Sequence, residues 1–578
     1  MAVKIERNYL LLVLSVIILL AAVVTASRLG PIPTLKGPEA PKTVPEDSKG
    51  PGYVTAMYFT VKTVNLPYTW RELNLYSYLF EENAVVEGVL QVGDEQGPLP
   101  NEFGYAEKMI NANISTSGAN AGYAVQKSYK LTLKKGKWRG QDSFLLKKYI
   151  NDGLRFRNKL MGDIANEIGG YIVPEMKFVH LYIKDESVSA TEFTDYGLYT
   201  YVERFSDRFL LSRELDYYGS LYLAEDFNFG LYENALTLET SNSFSKNDFV
   251  RVLKTKASED HSRLLQMLSE LNDESVSIET TFEKYFDSDN YFKWLAFQIL
   301  SGNYKAAASG FGLYVPRGNE KILFVFWDQS KSFSRFEKEL IEGVKYELRG
   351  DTVLENLGVT PFTSSVLHRR VLSVKKYREL LRSEIEALLS RFEDGSLHYI
   401  IESNKAAARY TLTLPDSRYL PLTAETYNMV ADHIVSEARE MYDYYLDSLV
   451  RPTSFKINPP ENGFITWEPS YMLDGGEVAF EIAVSRDYTF KQTVYSEKNA
   501  LEFQVGTLAP GQYFLKVTAV SPDGLERPAN VYYKDIYGRR YAGVLCFYIP
   551  ENGRLEIPEI YDDLENYEDF ENNDDYIK

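Results

Sequence analysis

The chain has 578 residues, of which 44% are hydrophobic and 25% charged, with 82 acidic against 63 basic residues and a net charge of −19. Such a composition belongs to a chain that buries a sizeable core, and it excludes collagen-like, fully disordered and polytopic membrane proteins. So acidic a chain repels phosphate backbones, which argues against nucleic acid as a partner. The single cysteine, Cys546, allows no intrachain disulfide and no Cys-based metal site. The five histidines, His180, His261, His368, His398 and His433, show no metal-ligand spacing, so the sequence points away from a zinc enzyme.

Residues 1–8 form a short basic start containing Lys4 and Arg7. Residues 9–26, YLLLVLSVIILLAAVVTA, carry no charge over 18 positions. That run is just long enough to span a bilayer as a helix, and the basic flank holds its start in the cytoplasm. Two fates fit: an uncleaved signal anchor, or a signal peptide cut after Val24-Thr25-Ala26. The first predicts a single-pass protein of the cell membrane with an extracellular body, the second a secreted one. Residues 27–52 hold Pro31, Pro33, Pro38, Pro41, Pro45 and Pro51 and read as an extended linker.

From Tyr53 the apolar residues alternate, and they do so again over 84–92 and 124–133, which predicts strands. Residues 155–169 keep helical spacing and stop at Gly169-Gly170. Strands return over 176–184 and 196–205. Residues 282–302 predict a helix, and GFGLYV with KILFVFWD predict a hairpin. Leu367, Val371, Val374, Leu381, Ile385 and Leu388 predict a helix over 363–391, and Tyr427 to Tyr445 another. The expected fold class of residues 53–450 is therefore α+β, strands first and helices later. After Arg451-Pro452 short alternating strands are separated by Asp474-Gly475, Pro510-Gly511 and Asp523-Gly524. Residues 453–550 are thus expected to form a small all-β sandwich resembling a fibronectin type III module, with Trp467 in its core. Residues 551–578 form an acidic tail; nine acidic residues against one Lys over 559–578 predict disorder.

Four segments carry a resemblance: AVQKSYKLTL (124–133), LRFRNKLMGDIANEIG (154–169), GLYTYVERFSDRFL (197–210), and SGNYKAAASGFGLYVPRG (301–318) with FVFWDQSKSF (324–333). In this order they resemble the CotH family of spore-coat-type bacterial protein kinases, over about residues 50–450. The resemblance implies a divergent, two-lobed protein-kinase-like fold that binds ATP with Mg or Mn. Phosphoryl transfer needs a Lys on the phosphates, an Asp to orient the acceptor, an acid to hold metal, and backbone groups beside the adenine. The resemblance assigns the phosphates to Lys127, the adenine side to Val202 and Glu203, and the metal to Asp328. Asp163 and Glu167, four apart on one helix, are candidates to pair with the phosphate Lys.

The chain departs from the family pattern where the chemistry is done. Counting back from Leu313-Tyr314, the position of the catalytic Asp holds Lys305 and that of a metal-binding Asn holds Gly310. A second acid after Trp327-Asp328 is replaced by Ser330. A charged Lys cannot take a proton from a hydroxyl, and Gly offers no side chain to a metal. Three functions fit this pattern: an impaired kinase-like surface protein that binds partners, an active kinase of surface proteins, or a structural or carbohydrate-binding protein. The implied partner is a cell-surface or wall protein, with the membrane engaged through residues 9–26.

Overall fold

The structure, a computed structural model, describes residues 50–62, 68–75, 84–118, 124–258, 260–342, 357–413, 422–535, 540–551 and 555–557. Its first half is built from β1 (Val54–Val61), α1 (Trp70–Leu73), β2 (Val85–Asp94), β3 (Gly97–Pro98), β4 (Ala112–Ser117), β5 (Ser128–Leu133), β6 (Ser143–Lys147), α2 (Arg157–Ile168), β7 (Met176–Asp185) and β8 (Thr194–Val202). These strands lie in the order β1-β7-β8-β6-β5-β4-β2-β3. β2 pairs β4 through residues 85–88 and β1 through residues 88–93, so the sheet closes on itself. Strand alternation sends Met57, Phe59, Tyr129, Leu131, Phe144, Leu146, Leu181 and Tyr201 into one interior cluster. The alternate residues Phe178 and Leu198 face outwards and join a second, larger core.

That second core belongs to the helical half. Here α3 (Asp207–Leu211), β9 (Ser220–Ala224), α4 (Lys246–Val252), β10 (Leu253–Ala257), α5 (Ser262–Asn272), α6 (Ile278–Tyr285), α7 (Ser288–Leu300), β11 (Phe311–Val315) and β12 (Leu323–Phe326) precede five further helices. These are α8 (Arg335–Glu342), α9 (Val366–Leu372), α10 (Lys375–Glu393), α11 (His398–Arg409) and α12 (Ala424–Val450). A four-stranded sheet in the order β10-β9-β11-β12 sits among them. The predicted hairpin is β11–β12, antiparallel with Phe311 opposite Phe326. α7 is buried on nearly every side, including Trp294, and α10 and α12 bury the predicted stripe of Leu381, Ile385, Tyr427 and Ile434 against it. Each such aliphatic or aromatic side chain contributes about 1.5–3 kcal/mol on burial.

Two predicted helices are each split. Residues 282–302 contain the end of α6 and all of α7, because Asp287 accepts from the Asn290 amide and starts a new helix while Phe286 is extended. Residues 363–391 break at Ser373-Val374, where Val374 is extended and Arg378 donates to the carbonyls of Leu372 and Ser373. α2 starts at Arg157, two residues later than the spacing indicates, with Asp152 accepting from the Arg157 amide, and ends at Gly169, whose φ of +80° suits glycine.

Beyond Pro452, the strands Ala479–Ser485, Thr493–Lys498, Gly511–Val520, Glu526–Pro528 and Val544–Ile549 form one antiparallel sheet. Trp467 is buried there, in a cluster with Phe455, Phe503 and Phe547. Glu556 bridges to Tyr548, so pairing continues past residue 550 into the stretch expected to be a disordered tail. The rest of that stretch, apart from residue 551 and residues 555–557, lies outside the described residues.

One expectation is corrected. Among the described residues no helix is long and apolar enough to cross a membrane, and the single-pass localisation drawn from residues 9–26 is withdrawn. Residues 9–26 themselves lie outside the described residues, as does nearly all of 27–52.

Candidate active-site cleft

A cleft of about 960 Å³ opens between the closed sheet and the helical half. Its sheet side is the outward face of β5, β6 and the end of β8, which presents Ser128, Lys130, Leu145, Lys147 and Val202. Glu203, Arg204 and Phe205 continue the wall from β8. The opposite side brings Lys254 and Lys256 from β10, Lys305 from a 3-10 turn over Tyr304–Ala307, and Trp327, Asp328, Ser330 and Lys331 from the end of β12. Lys338 of α8 and Asn158 of α2 complete it.

Charge is the first property of this cleft. Seven lysines and Arg204 line it, against Glu203 and Asp328. A cationic cleft in a chain of net charge −19 focuses field on whatever anion enters. Lys254 is partly neutralised by Glu225 at 2.9 Å. Lys130 is held below the usual lysine range by burial and then by the nearby Arg204.

Lys305 and Asp328 meet at the centre. Lys305 Nζ donates to Asp328 Oδ2 at 3.1 Å, and the two side chains are 20% and 15% exposed. Ser330 donates to Asp328 Oδ1 twice, from its amide at 3.0 Å and its hydroxyl at 2.7 Å. Burial alone would raise the Asp328 pKa; Lys305 and then Ser330 reverse that and lower it to about 2. The carboxylate is therefore ionised and engaged at both oxygens. Asn303 fixes this geometry: its side-chain amide donates to the Asp328 carbonyl at 3.0 Å and to Gln298 Oε1 at 2.8 Å, tying the Lys305 loop to the end of β12. Gly310 stands beside both groups with φ +73°, where an added Cβ would lie 3.4 Å from Asp328 Cβ and 3.5 Å from Lys305 Cδ.

The other sequence-derived candidates fall differently. Lys127 is only 3% exposed and does not line the cleft; burial pushes its pKa down to about 8. Period-two alternation turns Lys130, not Lys127, to the cleft side of this segment. Asp163 accepts from Lys159 at 2.6 Å and Asn404 at 2.8 Å, away from the cleft, and Glu167 is exposed. The cleft residue of α2 is Asn158, whose Oδ1 accepts from the Gln329 amide at 2.7 Å. Val202 and Glu203 line the cleft, and the Glu203 carboxylate is engaged by Arg213 and the Glu175 amide. Sequence reasoning passed over Lys147, Lys254, Lys256, Lys331 and Lys338. The spacing Lys254-Thr255-Lys256 places two lysines on one face of β10.

The match to known proteins covers the same elements. A family model described as CotH kinase protein matches residues 114–445, more than half of the chain. The chain belongs to the CotH family. Inner spore coat protein H of Bacillus subtilis (strain 168) is 24% identical over 302 residues, 51% of this chain and 77% of that protein. Membership points to a spore-coat-type, kinase-like protein. The CotH match begins in β4 and ends within α12, so it contains nearly every element that lines the cleft.

The donor set of this CotH domain distinguishes two ligands. Phosphate groups suit the lysines. Mg or Mn at a nucleotide is held by one or two open carboxylates together with waters and phosphate oxygens. The two carboxylates of the cleft are both engaged, and Gly310 offers no side chain. Among the described residues no three His, Cys, Asp or Glu side chains converge. These residues do not fit a divalent metal.

Proposed function

We propose that the CotH domain is a nucleotide-binding, kinase-like module whose phosphoryl transfer is impaired, and that it acts by binding partner proteins of the coat or cell surface. In this reading the closed sheet and the helical half are the two lobes, the lysines receive the phosphates, and the Val202-Glu203 segment runs beside the base. The C-terminal strands serve as a fibronectin-like contact module. The observation that carries the reading is the Lys305–Asp328 ion pair: the residue that the family resemblance aligns with the acceptor-orienting Asp is an ammonium, and it takes an oxygen of the acid that the resemblance assigns to the metal. Positioning of the acceptor and clamping of the metal supply much of phosphoryl-transfer catalysis, and this pair leaves no free carboxylate for either.

The test is labelled phosphoryl transfer from ATP, alongside thermal stabilisation by ATP. The wild type should be stabilised by nucleotide and transfer little label. Lys305→Asp combined with Gly310→Asn should raise transfer, since it supplies two oxygen donors and Asn tolerates a positive φ. Robust wild-type transfer that is indifferent to the residue at 305 would overturn the impaired-kinase reading.

A further inference from the structure

Cationic side chains outnumber anionic ones in the cleft, even with Lys254 paired to Glu225. Eight cationic and two anionic side chains line it. A nucleoside triphosphate loses much of its negative charge when it chelates a divalent ion. Free of metal, it presents that charge undiminished. The ammonium of Lys305 already occupies the space next to Asp328 Oδ2, at 3.1 Å, where a metal held by that carboxylate would sit. A divalent ion brought there would face Lys305 as a like charge at contact distance and find Asp328 Oδ1 taken by Ser330. Lys130, Lys147 and Lys256 approach from both sides of the cleft and can meet further phosphate oxygens as point charges, while Lys254 is paired with Glu225.

We infer that the cleft takes the metal-free polyphosphate of a nucleoside triphosphate, with the Lys305 ammonium standing in for the divalent cation. This rests on the nucleotide-binding reading above and adds the ionic form of the ligand. Lys305 neutralises phosphate oxygens directly and is steadied by Asp328, which is why a residue useless for proton abstraction sits at this position.

The experiment is titration of the full-length protein with ATP, once in excess EDTA and once in excess Mg, with affinity read by calorimetry. The wild type should bind ATP about tenfold more tightly in EDTA than with Mg. Raising salt should weaken the EDTA binding steeply. Tripolyphosphate in EDTA should compete with ATP, because the phosphates make the contacts; failure to compete would overturn that assignment. Lys305→Ala should lose about tenfold in EDTA and little or nothing with Mg. Lys130→Ala is a second variant that leaves the Lys305–Asp328 pair intact, and it should weaken EDTA binding too. Tighter binding with Mg than in EDTA would overturn the inference while leaving nucleotide binding standing. No ATP binding in either condition would instead overturn the nucleotide-binding reading itself.

Discussion

Replacing Lys305 by Met tests the electrostatics of the cleft apart from any ligand. The change keeps the side chain's length and removes its charge. Asp328 then stays buried with only Ser330 to hold it. The present lowering from the ordinary 3.8 to about 2 corresponds to roughly 2 kcal/mol of stabilisation of the carboxylate. That contribution is complete above the unfolded pKa and is lost as pH falls from about 4 through about 2. In Lys305→Met, burial dominates and the Asp328 pKa moves above the ordinary value. The variant should therefore be about 1–3 kcal/mol less stable than wild type at pH 7. The deficit should shrink as pH falls towards 4, because the variant's carboxyl takes up a proton there. Urea unfolding followed by tryptophan fluorescence reads this directly, since Trp327 lines the cleft beside Asp328. A double-mutant cycle with Asp328→Asn should give a coupling of about 2 kcal/mol. A coupling near zero, or a deficit that does not change with pH, would refute the reasoning.

Two more expectations concern other parts of the chain. Trp467→Ala should cost about 3–5 kcal/mol in the unfolding of the C-terminal strands, since the indole packs on Phe480 within a buried cluster, and should leave ATP affinity unchanged. Burial pushes the Glu437 carboxyl up to about 7 against the opposing pull of Arg157. Its contribution is full below pH 4.5 and is lost as pH rises through about 7, so urea midpoints should fall between pH 5 and pH 8; a slope that persists in Glu437→Gln would assign it elsewhere.

Much of the fold was legible because its strands and helices bury one face each. The alternation at Met57, Phe59 and Val61 and the stripe from Tyr427 to Tyr445 each have a single reading. The breaks at Phe286 and Val374 were not, because apolar spacing continues across them and the interruption is made by a cap and by long-range contacts. In the site, Asp328 and Lys305 were readable from order and offset along the chain. The electropositive wall was not. Lys130, Lys147, Lys254 and Lys338 are separated by up to 208 residues and become one surface only when the closed sheet meets the helical half. Lys127 was assigned the phosphates for its place in a pattern, and the pleat of β5 brings Lys130 to the cleft instead: Tyr129 and Leu131 fill the interior, so Lys130 stands on the opposite side.

The closure of the first sheet sets a timetable for biosynthesis. β1 pairs β7 with Val54 opposite Phe178, a separation of 124 residues. At a synthesis rate of about 5–20 residues per second, the first strand waits roughly 6–25 s for its parallel neighbour to be made. β2 can pair with β1 and β4, and β4 with β5, in the meantime, but one edge of β1 stays open until β7 arrives. During that interval the apolar residues Met57, Phe59 and Val61 are exposed on a nascent chain and available to bind other chains. Fragments ending before residue 185 should therefore be prone to aggregation, whereas those that include β7 and β8 close the ring.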